Sequence, residues 1–123
     1  MGTKQNFSSL SITFAKTAKV SAKSNQKKSF AQELDRELVK RVQEGEDKAF
    51  NLLIARHQKR LRASMFQLVK DEHTLQDVVQ EAFIKAYRAL PTFRGDSTFF
   101  TWLYRIAVNC AKSYLSSRKN WLL

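Results

Sequence analysis

Residues 75–115, LQDVVQEAFIKAYRALPTFRGDSTFFTWLYRIAVNCAKSYL, decide the fold. Two runs in this stretch repeat apolar residues every three or four positions, and the polar segment PTFRGDS divides them. Wound at about 100° per residue, the first run gathers Leu75, Val78, Val79, Ala82, Phe83, Ala86 and Leu90 on one face. Asp77, Gln80, Glu81, Ile84 and Arg88 fall on the other. The second run gathers Phe99, Trp102, Leu103, Ile106, Ala107, Cys110 and Tyr114 opposite Thr98, Thr101, Arg105, Asn109 and Lys112. Phe100 and Tyr104 sit at the boundary, where a ring either stacks on an unpaired base or covers the bundle. Thr74 and Asp77 form a capping-box-like pair ahead of the first run, and Pro91 ends it. Asp96 or Ser97 is expected to cap the second, which runs to about residue 117.

The same period continues upstream. Leu34, Leu38 and Val42 recur at four-residue steps, predicting a helix over about 32–44 that Gly45 stops. Asp47 is a plausible N-cap for the next helix, which carries Phe50, Leu53, Ile54, His57, Leu61, Met65 and Leu68 to about residue 70. Gly45, Pro91 and Gly95 are the strong breakers after residue 30, and no alternating pattern competes with the helical one. The expected architecture is all-α, a bundle of about four helices over residues 31–119. Residues 1–30 hold six lysines, no acid and a scatter of serines, which predicts a disordered basic tail; a targeting leader would favour arginine, and there is none here.

Charge narrows the function. A net +11 from 22 Lys+Arg against 11 Asp+Glu favours a polyanionic partner, because neutralising phosphates releases condensed counterions. The sign is not uniform: Arg56, Lys59, Arg60, Arg62 and Lys70 populate 54–70 without an acid, whereas Asp71, Glu72, Asp77 and Glu81 populate 71–81 without a base. The outer face of the last helix offers cations, amides and hydroxyls and no carboxylate, which suits an anion. Ile84, ringed by Asp77, Gln80, Glu81 and Arg88, has the composition of an interface centre with a polar rim, on a face that would repel DNA. One side is thus expected to meet a protein and the other nucleic acid. Enzymatic chemistry is not expected: His57 and His73 fall on different elements, Cys110 lies on a core face, and there is no Gly-rich phosphate loop. No metal or cofactor site is expected either, since a lone cysteine forms no multi-cysteine site. No apolar run is long enough to cross a bilayer, and a reducing, cytoplasmic compartment fits the single thiol.

Residues 75–115, with their D-x-x-Q-E-x-F helix, P-x-F-R-G-D-S loop and T-W-L-x-x-I-A-x-N helix, resemble region 2 of bacterial sigma factors of the extracytoplasmic-function, sigma-E-like branch. LVKRVQEGEDKAFNLLIARH, residues 38–57, resembles the start of the same region, and the likeness covers about 33–117. It implies a helical domain that docks on the clamp coiled coil of the RNA polymerase beta-prime subunit and binds the promoter minus-ten element as a melted non-template strand. Carried over by position, Asp77, Gln80, Glu81 and Ile84 become the polymerase-docking residues. Phe93, Arg94, Gly95, Asp96 and Ser97 become a pocket for a flipped-out base, and Arg105, Asn109 and Lys112 contact bases and phosphates beside it. Phe93 has the alternative role of a plug in the bundle, and Asp96 or Ser97 that of a simple cap. Many relatives also have an anti-sigma partner. Region 4, the second domain of that branch, is not found before the chain ends at SSRKNWLL, so residues 120–123 read as a remnant. The alternative is another basic helical DNA-binding regulator, or a protein adaptor that uses only the acidic helix.

Overall fold

The computed structural model describes residues 9–122, and the surroundings of side chains at 26–117. It has the expected all-α architecture: α1 (Ser9–Gln43), α2 (Lys48–Met65), α3 (Glu72–Ala89), a 3-10 turn (Leu90–Thr92) and α4 (Phe99–Leu122). Two compact units are distinguished, residues 1–34 and residues 35–123. In the first, α1 begins at Ser9, well before the expected start near residue 32. No proline or glycine lies between Gly2 and Gly45 to stop it. Residues 26–34 are exposed on every side, Leu34 included at 46%. The earlier part of the expected tail lies outside the described side chains, and its first eight residues outside the described chain.

The second unit holds the core, in which α3 packs on α4 and α2 packs on both. Leu38, Val39 and Val42 from α1 join Ala49, Phe50, Leu53, Leu61 and Met65 from α2, all buried. Every residue expected on the inner face of α3 is buried. On α4 the fully buried set is Phe99, Leu103, Ala107, Cys110 and Ala111, while Trp102, Ile106 and Tyr114 are only half-buried against it. Gly45 ends α1 at φ 103°, a left-handed conformation that a side chain would strain. There Glu46 N–H donates to Arg41 O and Gly45 N–H to Val42 O, the paired bonds of a Schellman turn.

Besides the early start of α1 and the run of α4 to Leu122 rather than about residue 117, helix ends differ from expectation in four places. Asp47 has helical angles and makes no cap; its carboxylate accepts from Tyr87 Oη at 2.8 Å instead. α2 stops at Met65 and not near residue 70; beyond it Leu68 N–H bonds Met65 O three residues back, a tighter turn than the α-helix makes, and Val69 N–H shares that acceptor. That turn buries Val69 and leaves Leu68 exposed. The cap of α3 is Asp71, which accepts from Thr74 N–H at 2.9 Å and from its hydroxyl at 2.6 Å, so the Thr74–Asp77 pair is not the capping box. At α4 neither Asp96 nor Ser97 caps; Thr98 does, its Oγ1 accepting from Thr101 N–H at 3.1 Å.

One buried cluster had no counterpart in the expected stripes. Asp35 is 7% exposed, and its two carboxylate oxygens accept from Arg56 Nε at 2.8 Å and from His57 Nε2 at 2.9 Å. A carboxylate accepts and does not donate, so the Nε2 proton is on His57. Burial pushes the Asp35 carboxyl up, but the hydrogen bonds from His57 and Arg56, with the attraction of the Arg56 guanidinium, outweigh it and hold the group below its ordinary range.

A carboxyl lowered in the folded state contributes stability that is present above its unfolded pKa and lost as pH falls through its folded one. Asp35→Asn is therefore expected to be less stable than wild type by about 3 kcal/mol near neutral pH. The gap should close as pH falls below about 4. Urea unfolding followed by circular dichroism across that range checks both, and a gap independent of pH would show that Asp35 is not held as an ion.

Candidate nucleic-acid and partner interfaces

The expected base pocket is a loop held firmly at its ends and open in its middle. Pro91 sits in the 3-10 turn, and Phe93 N–H closes that turn on Leu90 O. The Gln43 side-chain amide at the end of α1 reaches across to donate to Leu90 O at 2.9 Å and Phe93 O at 3.1 Å. The Phe93 ring is half-buried, 4.8 Å from Trp102 and edge-on to Phe99 at 6.3 Å, so it plugs the loop base against the first turns of α4. That contact also accounts for Trp102, whose indole covers Phe93 rather than entering the core. At the far end Thr98 fastens the loop to α4.

Between these anchors Arg94, Gly95 and Asp96 are exposed and Ser97 is half-buried. Gly95 has φ 82° and open space where a Cβ would stand. Asp96 makes none of the hydrogen bonds or ion pairs found among the described residues, and Ser97 Oγ donates only to the neighbouring Thr98 O. Arg94 to Ser97 are thus free to meet a ligand. From the loop, Thr98, Thr101, Arg105, Asn109 and Lys112 run along α4, all exposed. Thr101 to Lys112 spans roughly 16 Å of helix. The structure places the expected loop residues and the expected α4 residues at one end and along one side of the same helix.

The expected docking residues divide. Gln80 and Ile84, the latter 41% exposed, open into a groove of ≈ 880 Å³ between α2 and α3. Its floor is apolar, from Phe50, Ile54, Val79 and Phe83, and its walls carry the amides of Asn51, Gln58 and Gln76. Tyr87, held by Asp47 and packed at 5.2 Å on Phe50, closes one end beside Arg88. Asp77 and Glu81 are half-buried on the other flank of α3: after burial itself, their negative charges push the Tyr114 phenol of α4 up. The groove is therefore an apolar trough with amide walls, and its charged lining is mostly basic, Lys48, Arg62 and Arg88 against Asp47, rather than acidic. Its α2 wall was missed because Asn51 and Gln58 look like ordinary solvated helix positions. Asp47 was read as a cap, and nothing local signals the bond it accepts from Tyr87, 40 residues away.

Residues 53–120 match the family described as Sigma-70 region 2. The RNA polymerase sigma-H factor of Pseudomonas aeruginosa is 55% identical over 87 residues, covering 71% of this chain and 45% of that relative. The ECF RNA polymerase sigma-E factor of Escherichia coli K12 is 62% identical over 81 residues, covering 66% and 42%. The chain spans less than half the length of these curated relatives. Among solved structures, an engineered region 2 of sigmaE in complex with GTAAAA superposes with a TM-score of 0.67 at 52% identity, over 72% of this chain and 92% of that one. CnrH in complex with the cytosolic domain of CnrY superposes with a TM-score of 0.60 at 35% identity, over 65% and 52%.

Capping and ligand contact separate experimentally in this loop. Thr98→Ala is expected to lower stability by about 1 kcal/mol. Asp96→Ala and Ser97→Ala should stay within about 0.5 kcal/mol of wild type, as exposed positions without a structural role do. Thermal unfolding of the three variants checks this; a loss at Asp96 equal to that at Thr98 would return the cap to Asp96.

Proposed function

The chain belongs to the Sigma-70 region 2 family, and on that premise we propose that it is the part of a transcription initiation factor that binds core RNA polymerase and recognises promoter minus-ten DNA as a melted single strand. The observation that carries this reading is the open loop Arg94–Ser97 continuing into the carboxylate-free face of α4. Removing a base from its stack costs a few kcal/mol, so a pocket must return hydrogen bonds to its edge and a ring to its face. Asp96, exposed and unpartnered, is the sole acid after Glu81. A carboxylate on so basic a surface makes sense as an acceptor for a base amino group. Gly95 lets the backbone approach, and Phe93 supplies the ring at the loop base. Asn109 has the amide that pairs donor and acceptor with a base edge, whereas Arg105 and Lys112 act on phosphates. The engineered sigmaE region 2 that holds GTAAAA supports the same choice of ligand.

In this proposal the α2–α3 groove takes an amphipathic helix of the beta-prime clamp coiled coil. Ile84 enters the helix's apolar ridge, and Gln80 with the wall amides pairs with its polar flanks. Asp77 and Glu81, on the α4 flank, serve as outlying charges that steer a basic helix rather than as groove contacts. A further protein partner of the anti-sigma kind belongs to the same reading; CnrH, held with the cytosolic domain of CnrY, is a relative of this fold bound to a protein.

Fluorescence anisotropy with single-stranded GTAAAA, a scrambled strand and the duplex tests the DNA side. Single-stranded GTAAAA is expected to bind tightest, Asn109→Ala to narrow the gap to the scrambled strand, and Lys112→Ala to weaken all three alike while lowering the salt slope by about one. Tighter binding to the duplex than to either strand would favour a duplex-reading regulator and overturn the proposal. For docking, Ile84→Glu should abolish capture by purified core polymerase with the helical circular-dichroism signal unchanged; retained capture would remove the groove from that role.

A further inference from the structure

Four cations of the described residues are paired with carboxylates, and two others, Lys70 over Phe66 and Arg60, lie over rings. Arg41, Arg56, Arg62 and Lys85 are held by the carboxylates of Glu46, Asp35, Glu72 and Glu81. Arg60, exposed on α2, is placed by a ring: its guanidinium carbon lies 3.8 Å over the centroid of Phe100. Phe100 in turn stacks on Tyr104 at 6.2 Å with 28° between the planes, and its other neighbour is His57 at 5.8 Å. Behind His57 stands the buried Asp35 carboxylate. Phe100 and Tyr104 are both half-exposed, so the stack opens to solvent at its Arg60 and Tyr104 ends.

We propose that this stack is a second contact for single-stranded nucleic acid, separate from the loop pocket: a flanking base stacks on the Tyr104 ring or the Arg60 guanidinium plane, and Arg60 takes its phosphate. The inference rests on the promoter-strand reading above and extends the path of the strand from the loop onto α2. Three observations carry it. A guanidinium whose carbon stands 3.8 Å over a ring has its ring-facing side desolvated, and Arg60 makes none of the carboxylate pairs found among the described residues, which leaves N–H donors for a phosphate and a charged platform for a base. The local sequence favours an anion, since residues 54–70 contain no acid, the adjacent Lys59 is exposed, and the one carboxylate behind the stack, Asp35, is buried and bonded to Arg56 and His57. The stack is also fixed in advance: Phe100 is backed by a histidine that a buried carboxylate holds, so little ordering is left for the ligand to impose. Phe100 lies in the first turn of α4, next to the end of the loop, which puts the two contacts on one continuous path. An acidic protein segment would use the charge of Arg60 but would have no use for two exposed rings aligned with it. A nucleobase uses both.

The test compares the full chain and two variants, Arg60→Gln and Phe100→Leu, on two labelled strands: GTAAAA alone, and the same six nucleotides with thymidine flanks on both sides. Wild type should bind the flanked strand more tightly than the bare one. Both variants should match wild type on the bare strand and lose about tenfold on the flanked one, the worth of one stacked base. Replacing the flanks by abasic residues should remove the wild-type advantage over Phe100→Leu while leaving part of that over Arg60→Gln. Arg60 is exposed, so its variant reports even if Phe100→Leu lowers stability. Equal affinity of wild type for both strands, or equal losses on both in the variants, would overturn the platform and leave the loop reading intact. Failure of wild type to bind GTAAAA at all would instead overturn the parent reading. Loss of core polymerase capture by Arg60→Gln, with DNA affinity unchanged, would make the patch a protein contact.

Discussion

The single buried stripe on each of α3 and α4 is the constraint from which the functional surfaces follow. Val78, Ala82 and Ala86 on α3 and Leu103 and Ala107 on α4 are fully buried, and the two helices pack on one another along that seam. The alanines add little bulk, so the helices approach while larger neighbours such as Leu75, Phe83 and Phe99 fill the space around them. A helix with one apolar stripe has one polar side. Once the stripes meet, the Gln80–Ile84 side and the Arg105–Asn109 side face different solvent without any dedicated device. A partner in the α2–α3 groove and a strand on α4 are therefore compatible by construction.

Charge is then distributed over this scaffold according to what each position can spare. Exposed ion pairs contribute little to stability, so leaving Arg105 and Lys112 without carboxylates sacrifices almost nothing in folding. It keeps their full charge for a polyanion, where each neutralised phosphate releases a counterion. Among the described residues, the buried carboxylate of Asp35, bonded to Arg56 and His57, follows the opposite logic. There, Arg56 and His57 both bond the Asp35 carboxylate, and removing either leaves a buried charge short of a partner. The surface of α2 accordingly carries both kinds of arginine four residues apart: Arg56 committed to Asp35, Arg60 resting on a ring.

What could be read from the sequence was whatever repeats at the helical period. The stripes of α3 and α4, the exposure of Arg105, Asn109 and Lys112, and the loop between Pro91 and Gly95 all follow from spacing within one element. What could not be read depends on which of several competent groups wins. Asp47, Asp71, Thr74, Asp96, Ser97 and Thr98 can each cap a helix by chemistry, and the choice falls to the geometry of the turn that precedes each helix. Long-range polar bonds were invisible for a different reason. His57 looks like one more member of an apolar stripe, and nothing local points to Asp35, 22 residues earlier. Gln43 likewise has no local signal for its bonds to Leu90 O and Phe93 O, 47 and 50 residues away.

That last bond shows where discrimination between bases can reside. The loop is tied at one end by Gln43 and the Phe93 plug, and at the other by the Thr98 cap, all of them contacts within the protein. None of these groups is free to respond to the identity of a base without disturbing the fold. The residues between them are free, because Arg94, Gly95 and Asp96 carry no packing role and Ser97 binds only its neighbour's carbonyl. A site built this way separates two demands that usually conflict. The ends hold the backbone in place, which limits the ordering a flipped base must impose. Apart from Gly95, whose φ of 82° a side chain would strain, the middle can change its side chains, and with them the base preferred, at little cost to stability. On this argument, the share of base preference that the proposed reading gives to the loop, beside that of Asn109 on α4, belongs to its central side chains, and the anchors set only how rigidly those are presented.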